Sequence, residues 1–157
     1  MLLAAWPQVL ERVPGAELAL VGDGPEAPHL AALAVDGVRL AGKSADVPAW
    51  LAAADVVALP SRWDVMALTM LEAMARGRSV VTTDVDGARE ALGEKAGAVV
   101  PVEDPAALAD ALVERLLDPG RAAAEGEAGR AAAIARHDFL RVADATAELY
   151  AELAAVS

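Results

Sequence analysis

Two carboxylates, Asp64 and Glu72, have a spacing that could serve a single ligand. Asp64 follows an apolar run typical of a strand, and Glu72 comes eight positions later, about two turns into a predicted helix. Open α/β sheets place ligands at the carboxyl ends of their strands, and the first turn of the next helix offers free N–H groups to an anion. The two carboxylates could therefore act at opposite ends of one ligand. The alternative is that Asp64 is an N-cap and Glu72 an ordinary helix residue.

The surroundings of Glu72 bear on its role. It lies between Leu71 and Ala73 in a strongly apolar helix, so we expect its side chain to be partly buried. A buried carboxylate loses its hydration and needs a partner.

A second candidate segment is the glycine-containing turn Val21–Pro25. Gly22 and Gly24 follow a predicted strand and precede a helix, where glycine allows a positive φ and lets a ligand approach the backbone closely. The third glycine of a dinucleotide-binding fingerprint is missing, because Ala27 and Pro28 occupy the region where it would fall. This disfavours an NAD-binding domain. By itself the motif is more typical of a tight strand-to-helix turn than of a ligand site.

The elements that must position these residues follow from the apolar pattern. Runs of four to six apolar residues alternate with longer segments of helical period, which predicts strand–helix units in a mostly parallel sheet, the α/β class. The predicted strands are Glu17–Val21, Val38–Ala41, Val56–Leu59, Ser79–Thr83 and Ala98–Pro101. The predicted helices are Leu2–Arg12, Glu26–Ala34, Val47–Ala53, Met66–Arg76, Ala88–Leu92, Pro105–Leu117, Arg121–Arg136 and Phe139–Ala155. The Ala-, Gly- and Glu-rich helix Arg121–Arg136 is expected to be exposed and interrupted at Gly126 and Gly129.

Several helix boundaries carry chemical signals. Asp104 followed by Pro105 predicts an N-cap with proline at the first helical position. Asp46 and Asp138 are predicted N-caps as well. Gly77 is predicted to end the helix that carries Glu72, because glycine readily takes the left-handed conformation that follows a last turn.

The composition excludes several classes of protein. The 157 residues suffice for one domain with a single core. Cysteine is absent, which excludes disulfides and thiolate metal sites, and His29 and His137 are too far apart in sequence to suggest a metal pair. The net charge of −11 argues against nucleic-acid binding, which needs clustered Lys and Arg. Because no run of about 18 uncharged apolar residues and no leader sequence occurs, we expect no transmembrane segment and a cytoplasmic protein.

The segment from Leu59 to Gly77 resembles the signature of the retaining GT-B glycosyltransferases of the glycosyl transferases group 1 family. In that signature a Glu is followed after seven residues by a second Glu and then Ala, and Asp64, Glu72 and Ala73 occupy these positions. Further landmarks of the family agree in order and spacing across essentially the whole chain. They are Val21–Pro25, Val38–Gly42, Ala54–Ser61, Val80–Asp84, Gly87 with Glu90, Ala96–Gly97, Val100–Pro101 and the final helix from His137 to Tyr150.

The resemblance implies a fold and an activity. The fold would be a Rossmann-like, doubly wound parallel sheet, which is the second half of a GT-B fold. Residues 1–157 would form one domain that binds a nucleotide-sugar donor, with 138–157 the C-terminal helix that crosses onto the other domain in the family. The implied reaction transfers a sugar from a nucleoside diphosphate to an acceptor with retention of anomeric configuration, and it needs no metal and no cofactor.

The resemblance also assigns roles to individual residues. Asp64 would contact the donor sugar, with an electrostatic and positioning role in catalysis because the family has no universally agreed enzymic nucleophile. Glu72 would hydrogen-bond the ribose. The backbone amides that would reach the sugar and the phosphates belong to Met66, Ala67, Leu68 and Thr69. The remaining donor-binding positions are Gly22 and Gly24, together with Gly42 and Lys43 beside the base.

The chain departs from the family pattern at or near the implied site. Asp64 replaces the usual Glu, which shortens the arm by one methylene, and positioning errors near 1 Å can cost about a hundredfold in rate. Val65 and Asp86 stand where Gly is usual, and Ser79 stands where Pro is usual. If the backbone at Val65 needs a positive φ, a β-branched residue is strained there.

The family also leads us to expect parts that are missing from this chain. These are the central first strand of the domain, an Arg and a Lys that hold the diphosphate, and the N-terminal acceptor domain. Donor binding would then be weak and the chain alone inactive. Arg62, Arg78 and Lys43 are candidate substitutes for the lost cations, with unrelated surface positions as the alternative. A non-catalytic remnant that serves as a structural or interaction module is the alternative function.

A missing central strand would leave the neighbouring strands with unpaired backbone edges and exposed apolar faces. We expect pairing between Glu17–Val21 and Val56–Leu59, strand insertion from another copy, or poor solubility. The alternative is one sheet in which the five predicted strands are complete in themselves. The last helix should also leave apolar side chains short of partners, and self-association could cover them. These side chains are Phe139, Val142, Leu149 and Tyr150.

Overall fold

The computed structural model describes residues 1–33 and 35–155. The strands in this part of the chain are β1 (Leu18–Val21), β2 (Val38–Gly42), β3 (Val56–Leu59), β4 (Ser79–Thr83) and β5 (Gly97–Val100). The helices are α1 (Leu2–Arg12), α2 (Ala27–Ala32), α3 (Val47–Ala53), α4 (Leu68–Ala75), α5 (Ala88–Leu92), α6 (Pro105–Leu117), α7 (Pro119–Arg136) and α8 (Phe139–Ala155). Every predicted element is present, with bounds within two residues of the prediction. The predicted end of α2 at Ala34 lies outside the described residues, as do Val156 and Ser157.

The predicted caps begin and end the helices as expected. Asp46 accepts a hydrogen bond from the Ala49 amide at 3.0 Å, and Asp104 accepts one from the Ala107 amide at 2.9 Å. Each bond satisfies one of the N–H groups that a first helical turn leaves free. At the other end of α4, Gly77 has φ 68° and its amide donates to Met74, which terminates that helix.

The strands form two parallel sheets. β1 pairs with β2, and β4 lies between β3 and β5 in the second sheet. The expected pairing of β1 with β3 is wrong, and so is the alternative of one five-stranded sheet, because these two strands belong to different sheets. Helix packing joins the sheets instead. Trp6 and Val9 of α1 lie in one apolar cluster with Val81 and Val100, against which Leu18 of β1 also packs.

The core lies on both faces of the β3–β4–β5 sheet. Val80 and Val81 are consecutive and fully buried, yet they belong to different apolar clusters because successive strand side chains point to opposite faces. The cluster around Val81 includes α1 and α6, and the cluster around Val80 includes α3, α4, α5 and α7. All five residues of β4 are buried, so this strand anchors both layers.

Helix α7 differs from its prediction. It is one continuous helix, and Gly126 and Gly129 are buried rather than exposed interruptions. A Cβ at position 126 would lie 2.0 Å from the Gly77 carbonyl oxygen, whereas a Cβ at position 129 would make ordinary contacts at 3.4 Å with Ala96 and Met74. Gly126 therefore lets α7 approach the end of α4 more closely than any larger residue would allow.

A buried ion pair joins α6 to α7. The Arg115 side chain is 1% exposed, and its Nε and Nη2 each donate to Glu125 at 2.8 Å. Glu125, 12% exposed, also accepts from Ser79 Oγ at 2.5 Å and from Arg121 Nε at 3.0 Å. Burial acts to raise the pKa of Glu125. The hydrogen bonds from Ser79 and Arg121 and the charge of Arg115 outweigh it and hold that pKa below its usual range.

The low pKa of Glu125 predicts a loss of stability in acid. A carboxyl whose pKa is lower in the folded than in the unfolded state stabilises the fold above its unfolded pKa, which is about 4.3 for Glu, and loses this contribution as the pH falls through the folded pKa. We expect the free energy of unfolding to fall below about pH 4 more steeply in the wild type than in Glu125→Gln. Denaturant titrations over a pH series measure this difference, and parallel curves would contradict it.

Helix α8 presents an apolar stripe to solvent. None of its described residues is buried, and the four side chains predicted to lack partners are exposed. These are Phe139, Val142, Leu149 and Tyr150. Across the described chain, no helix combines the length and the apolar character that crossing a membrane requires.

Candidate functional site

The predicted glycines lie at the carboxyl ends of β1 and β2. Gly22 has φ 138° and Gly42 has φ 68°, and the Gly22 amide donates to the Gly42 carbonyl at 2.8 Å. Both positions use backbone conformations that favour glycine, which the sequence indicated for Gly22 but not for Gly42. Gly24 has no positive φ, and its amide donates to the Asp23 carboxylate at 2.8 Å. The exposed Lys43 follows Gly42 at the same sheet edge.

The connection from β3 to α4, residues 60–67, is called the β3–α4 loop below. Two buried threonines at the end of β4 hold its start. Thr82 Oγ1 donates to the Leu59 carbonyl at 3.1 Å, and Thr83 Oγ1 donates to the Ser61 carbonyl at 2.5 Å. The sequence interpretation missed this role, although two consecutive threonines at the end of a buried strand were a visible signal.

Asp64 is half-buried in this loop, and its Oδ1 accepts from the Val65 amide at 2.9 Å. It is not an N-cap. The N-cap of α4 is Ala67, which caps without a side-chain hydrogen bond, so the helix begins at Leu68, two residues later than predicted. Among the described residues, Oδ2 of Asp64 has no hydrogen-bond partner. That oxygen is free to contact a ligand.

The backbone amides predicted to reach a donor fall into two groups. Met66 and Ala67 precede the helix, whereas Leu68 and Thr69 are its first two residues. In the part of the chain that the structure describes, the amides of Leu68 and Thr69 make no hydrogen bond, while the Met70 amide donates to Ala67 at 2.9 Å. These two free amides and the helix dipole favour an anion at this end of α4.

Glu72 is exposed, so the expected partial burial is wrong. The buried residues of α4 are Met70, Ala73 and Met74, and helical periodicity turns Glu72 away from that face. Because α4 begins at Leu68, Glu72 lies about one turn into the helix rather than two. Its carboxylate has no partner within residues 1–33 and 35–155, and its backbone carbonyl accepts from Arg76 at 3.1 Å.

The expected strain at Val65 is wrong, because its backbone does not adopt the positive φ that would strain a β-branched residue. Neither Val65 nor Asp86 has a positive φ; Glu103 is the one non-glycine residue that does in the described chain. Gly87, the N-cap of α5, has φ 76°, and a Cβ there would lie 2.2 Å from the Val65 carbonyl oxygen. The β3–α4 loop therefore packs directly on the backbone of Gly87.

Several charged side chains follow the carboxyl ends of β3, β4 and β5. Arg89 binds both oxygens of Asp84 at 2.8 Å, and this hydrogen bonding lowers the pKa of Asp84. Arg62 pairs with Glu103 at 3.0 Å. Arg78, a candidate phosphate ligand, instead precedes the first residue of β4 and lies at the opposite edge of the sheet.

Most of the predicted donor-binding residues are exposed to solvent. One pocket of about 320 Å³ lies between α5 and α7, and another of about 200 Å³ lies among α1, α2 and β2. None of the predicted donor-binding residues lines either pocket. Within the described residues no group of three or more His, Asp or Glu side chains could hold a metal ion.

The sequence is similar to known glycosyltransferases. The profile of the glycosyl transferases group 1 family matches residues 1–118. A GDP-mannose-dependent monoacylated alpha-(1-6)-phosphatidylinositol monomannoside mannosyltransferase of Corynebacterium glutamicum is 39% identical over 142 residues, which cover 83% of this chain and 37% of that protein. The chain therefore spans less than two fifths of that relative's length.

Solved structures share the fold. The sucrose-phosphate synthase of Thermosynechococcus elongatus superposes with a TM-score of 0.86 at 27% identity, over 99% of this chain and 43% of that chain. Anabaena HepE, solved in complex with UDP, superposes with a TM-score of 0.86 at 24% identity, over 96% of this chain and 44% of that chain. The α/β architecture is thus that of the GT-B glycosyltransferases. Because the family profile covers more than half of the sequence, the chain belongs to the glycosyl transferases group 1 family.

Proposed function

We propose that this chain is the donor-binding part of a retaining glycosyltransferase. The observation that carries the proposal is the arrangement around α4. Thr83 and Gly87 hold the β3–α4 loop so that half-buried Asp64, with one oxygen free, precedes two unbonded helix amides. A carboxylate beside an anion-binding helix start suits a ligand that is neutral at one end and anionic at the other, as a sugar diphosphate is.

This arrangement suits the charges that develop during sugar transfer. As the bond between the anomeric carbon and the diphosphate breaks, positive charge grows on the sugar ring and negative charge on the leaving phosphates. Asp64 would stabilise the positive charge on the sugar ring. The amides of Leu68 and Thr69, together with the α4 dipole, would stabilise the negative charge on the phosphates. Asp64 acts through its position and its charge, and the transfer proceeds without a metal. The exposed Glu72 carboxylate is free to bind the ribose hydroxyls.

The proposed donor is a GDP-sugar, with mannose as the first sugar to test. Relatives that are 39% identical to this chain are named as GDP-mannose-dependent mannosyltransferases. In this chain the base would lie against the edge formed by Gly22, Gly42 and Lys43, where the space beside the two glycines is open.

The exposure of the site is explained if a second domain covers it and binds the acceptor. The greater length of the relatives suggests such a domain. The same exposure, together with the exposed apolar stripe of α8, favours the alternative of a non-catalytic interaction module. Donor binding distinguishes the two functions, because only the first requires it.

Calorimetric titration of the 157-residue chain with GDP, GDP-mannose, UDP and ADP tests the proposal. We expect GDP-mannose to bind in the presence of EDTA and more tightly than the other nucleotides. Replacing Glu72 by Gln should weaken GDP and GDP-mannose alike by about tenfold or more, since a charge-assisted hydrogen bond contributes about 1.5–3 kcal/mol. Asp64→Asn should weaken GDP-mannose more than GDP, because Asp64 contacts the sugar.

The matched control is Glu127→Gln on the exposed side of α7, which should leave every affinity unchanged. Absence of heat with all four ligands at millimolar concentration would reject donor binding and favour the interaction module. Equal losses for GDP and GDP-mannose in Asp64→Asn would reject the assigned role of Asp64.

A further inference from the structure

We propose that Glu103 is a positioning residue for the β3–α4 loop and acts through Arg62. Its effect on donor affinity rests on the proposed function, whereas its effect on the loop does not. Arg62 lies two residues before Asp64, and its Nε donates to Glu103 Oε1 at 3.0 Å. This ion pair links two connections at the carboxyl edge of the sheet that are 41 residues apart in sequence.

The Arg62–Glu103 pair completes the attachment of the loop. Thr83 holds the loop at Ser61, and the backbone of Gly87 supports it at Val65. Between these two points only Arg62 carries an ion pair to another part of the described chain. Without it, the segment that carries Asp64 would be held at its ends and free in its middle.

Glu103 has a backbone conformation that requires explanation. Its φ is 61°, in the left-handed region that non-glycine residues seldom adopt. Such conformations cost free energy and occur mostly where the surrounding structure enforces them, often at ligand sites. Here the strained residue is the one that directs a carboxylate across the sheet edge to Arg62.

The anchor on the Glu103 side is rigid. The next residue, Asp104, caps α6 through its bond to the Ala107 amide at 2.9 Å. Helix α6 is held in the core by Leu108 and Val113, both fully buried. Glu103 is thus fixed next to a helix that packs in the core, and Arg62 transfers that constraint to the loop.

The exposure of the pair makes its effect local. The Arg62 and Glu103 side chains are 76% and 67% exposed, and ion pairs this exposed contribute little to global stability. Losing the pair should therefore loosen the loop and leave the melting temperature unchanged. Substituting a residue that has only a structural role in the fold would change both the mobility of the loop and the melting temperature, or neither of them.

Hydrogen exchange of residues 60–67, measured by mass spectrometry on the full chain, tests this. Arg62→Glu and Glu103→Arg should each raise loop exchange by about threefold, the size expected for an exposed pair. The double variant Arg62→Glu/Glu103→Arg restores opposite charges and should restore protection. Glu103→Gln removes the negative charge without placing a second cation beside Arg62, so it should raise exchange less than Glu103→Arg.

The control is Arg12→Glu, which breaks another exposed ion pair, that of Arg12 with Asp110 between α1 and α6. It should not change loop exchange. The inference is overturned if the single variants leave exchange unchanged, if the double variant fails to restore protection, or if Arg12→Glu loosens the loop equally. GDP-mannose affinity should fall and recover in parallel. If the wild type binds no nucleotide, the proposed function fails while the exchange data still decide the role of Glu103.

Discussion

Replacing Glu125 by leucine is expected to lower the free energy of unfolding by about 3–5 kcal/mol, the usual cost of leaving a buried charge without its partner. Arg115 is 1% exposed and gives two hydrogen bonds of 2.8 Å to Glu125. The substitution therefore leaves its buried guanidinium with only the Ala111 carbonyl at 2.8 Å and the partly exposed Glu114 carboxylate at 3.4 Å. For a domain of this size the melting temperature should fall by about 6–20 °C. Denaturant titration and calorimetry measure both quantities.

The double variant Arg115→Met/Glu125→Leu shows whether the pair itself stabilises the protein. Apolar side chains of similar volume often replace a buried ion pair at little cost, so the double variant should be close to the wild type. Arg121→Ala removes a partly exposed partner of the same carboxylate and should cost less than about 1 kcal/mol. A Glu125→Leu protein within about 1 kcal/mol of the wild type would show that Glu114 or solvent replaces the lost partner of Arg115.

Replacing Gly126 by alanine is expected to destabilise the protein by about 1–3 kcal/mol or more, although alanine is the better helix former. The added Cβ would lie 2.0 Å from the Gly77 carbonyl oxygen and 3.2 Å from the Arg78 amide. Both are backbone atoms next to β4, so α7 would have to move away from the sheet. Thermal melting and denaturant titration of the single variant measure the loss.

Gly129→Ala is the matched control, because it lies in the same helix and is also buried. Its Cβ would make contacts of 3.4 Å with the side chains of Ala96 and Met74, which can adjust. We expect this substitution to be neutral or to stabilise the protein by up to about 1 kcal/mol, the difference in helix propensity. If both variants lose equal stability, close approach to Gly77 is not the reason for glycine at position 126.

The prediction of α4 shows where local reasoning fails. The apolar pattern placed its start at Met66, with Asp64 as a possible cap, but the helix begins at Leu68. The residues in between are held by Thr83 and by the backbone of Gly87, both distant in sequence. The later start also places Glu72 one turn into the helix rather than two.

The buried face of α7 and the ion pairs could not be predicted for a related reason. The Ala-, Gly- and Glu-rich sequence of α7 is typical of an exposed, interrupted helix, and only the position of Gly77 against Gly126 explains why Gly126 is buried. Likewise, nothing local to Arg62 indicates Glu103 as its partner. The division of the strands into two sheets also depends on the packing of α1 against a common core.

The sequence by itself determined which segments are strands and helices, where most of them begin and end, and the residues that resemble a glycosyltransferase signature. These properties are local, since apolar periodicity, capping by Asp104 and termination at Gly77 act within a few residues of the chain. Only the tertiary structure decided which carboxylate oxygen and amides lack hydrogen-bond partners among the described residues, which charges are buried, and what holds the β3–α4 loop. These features depend on contacts between residues that are dozens of positions apart in the sequence. Tertiary packing, rather than any local sequence pattern, sets the distances between them.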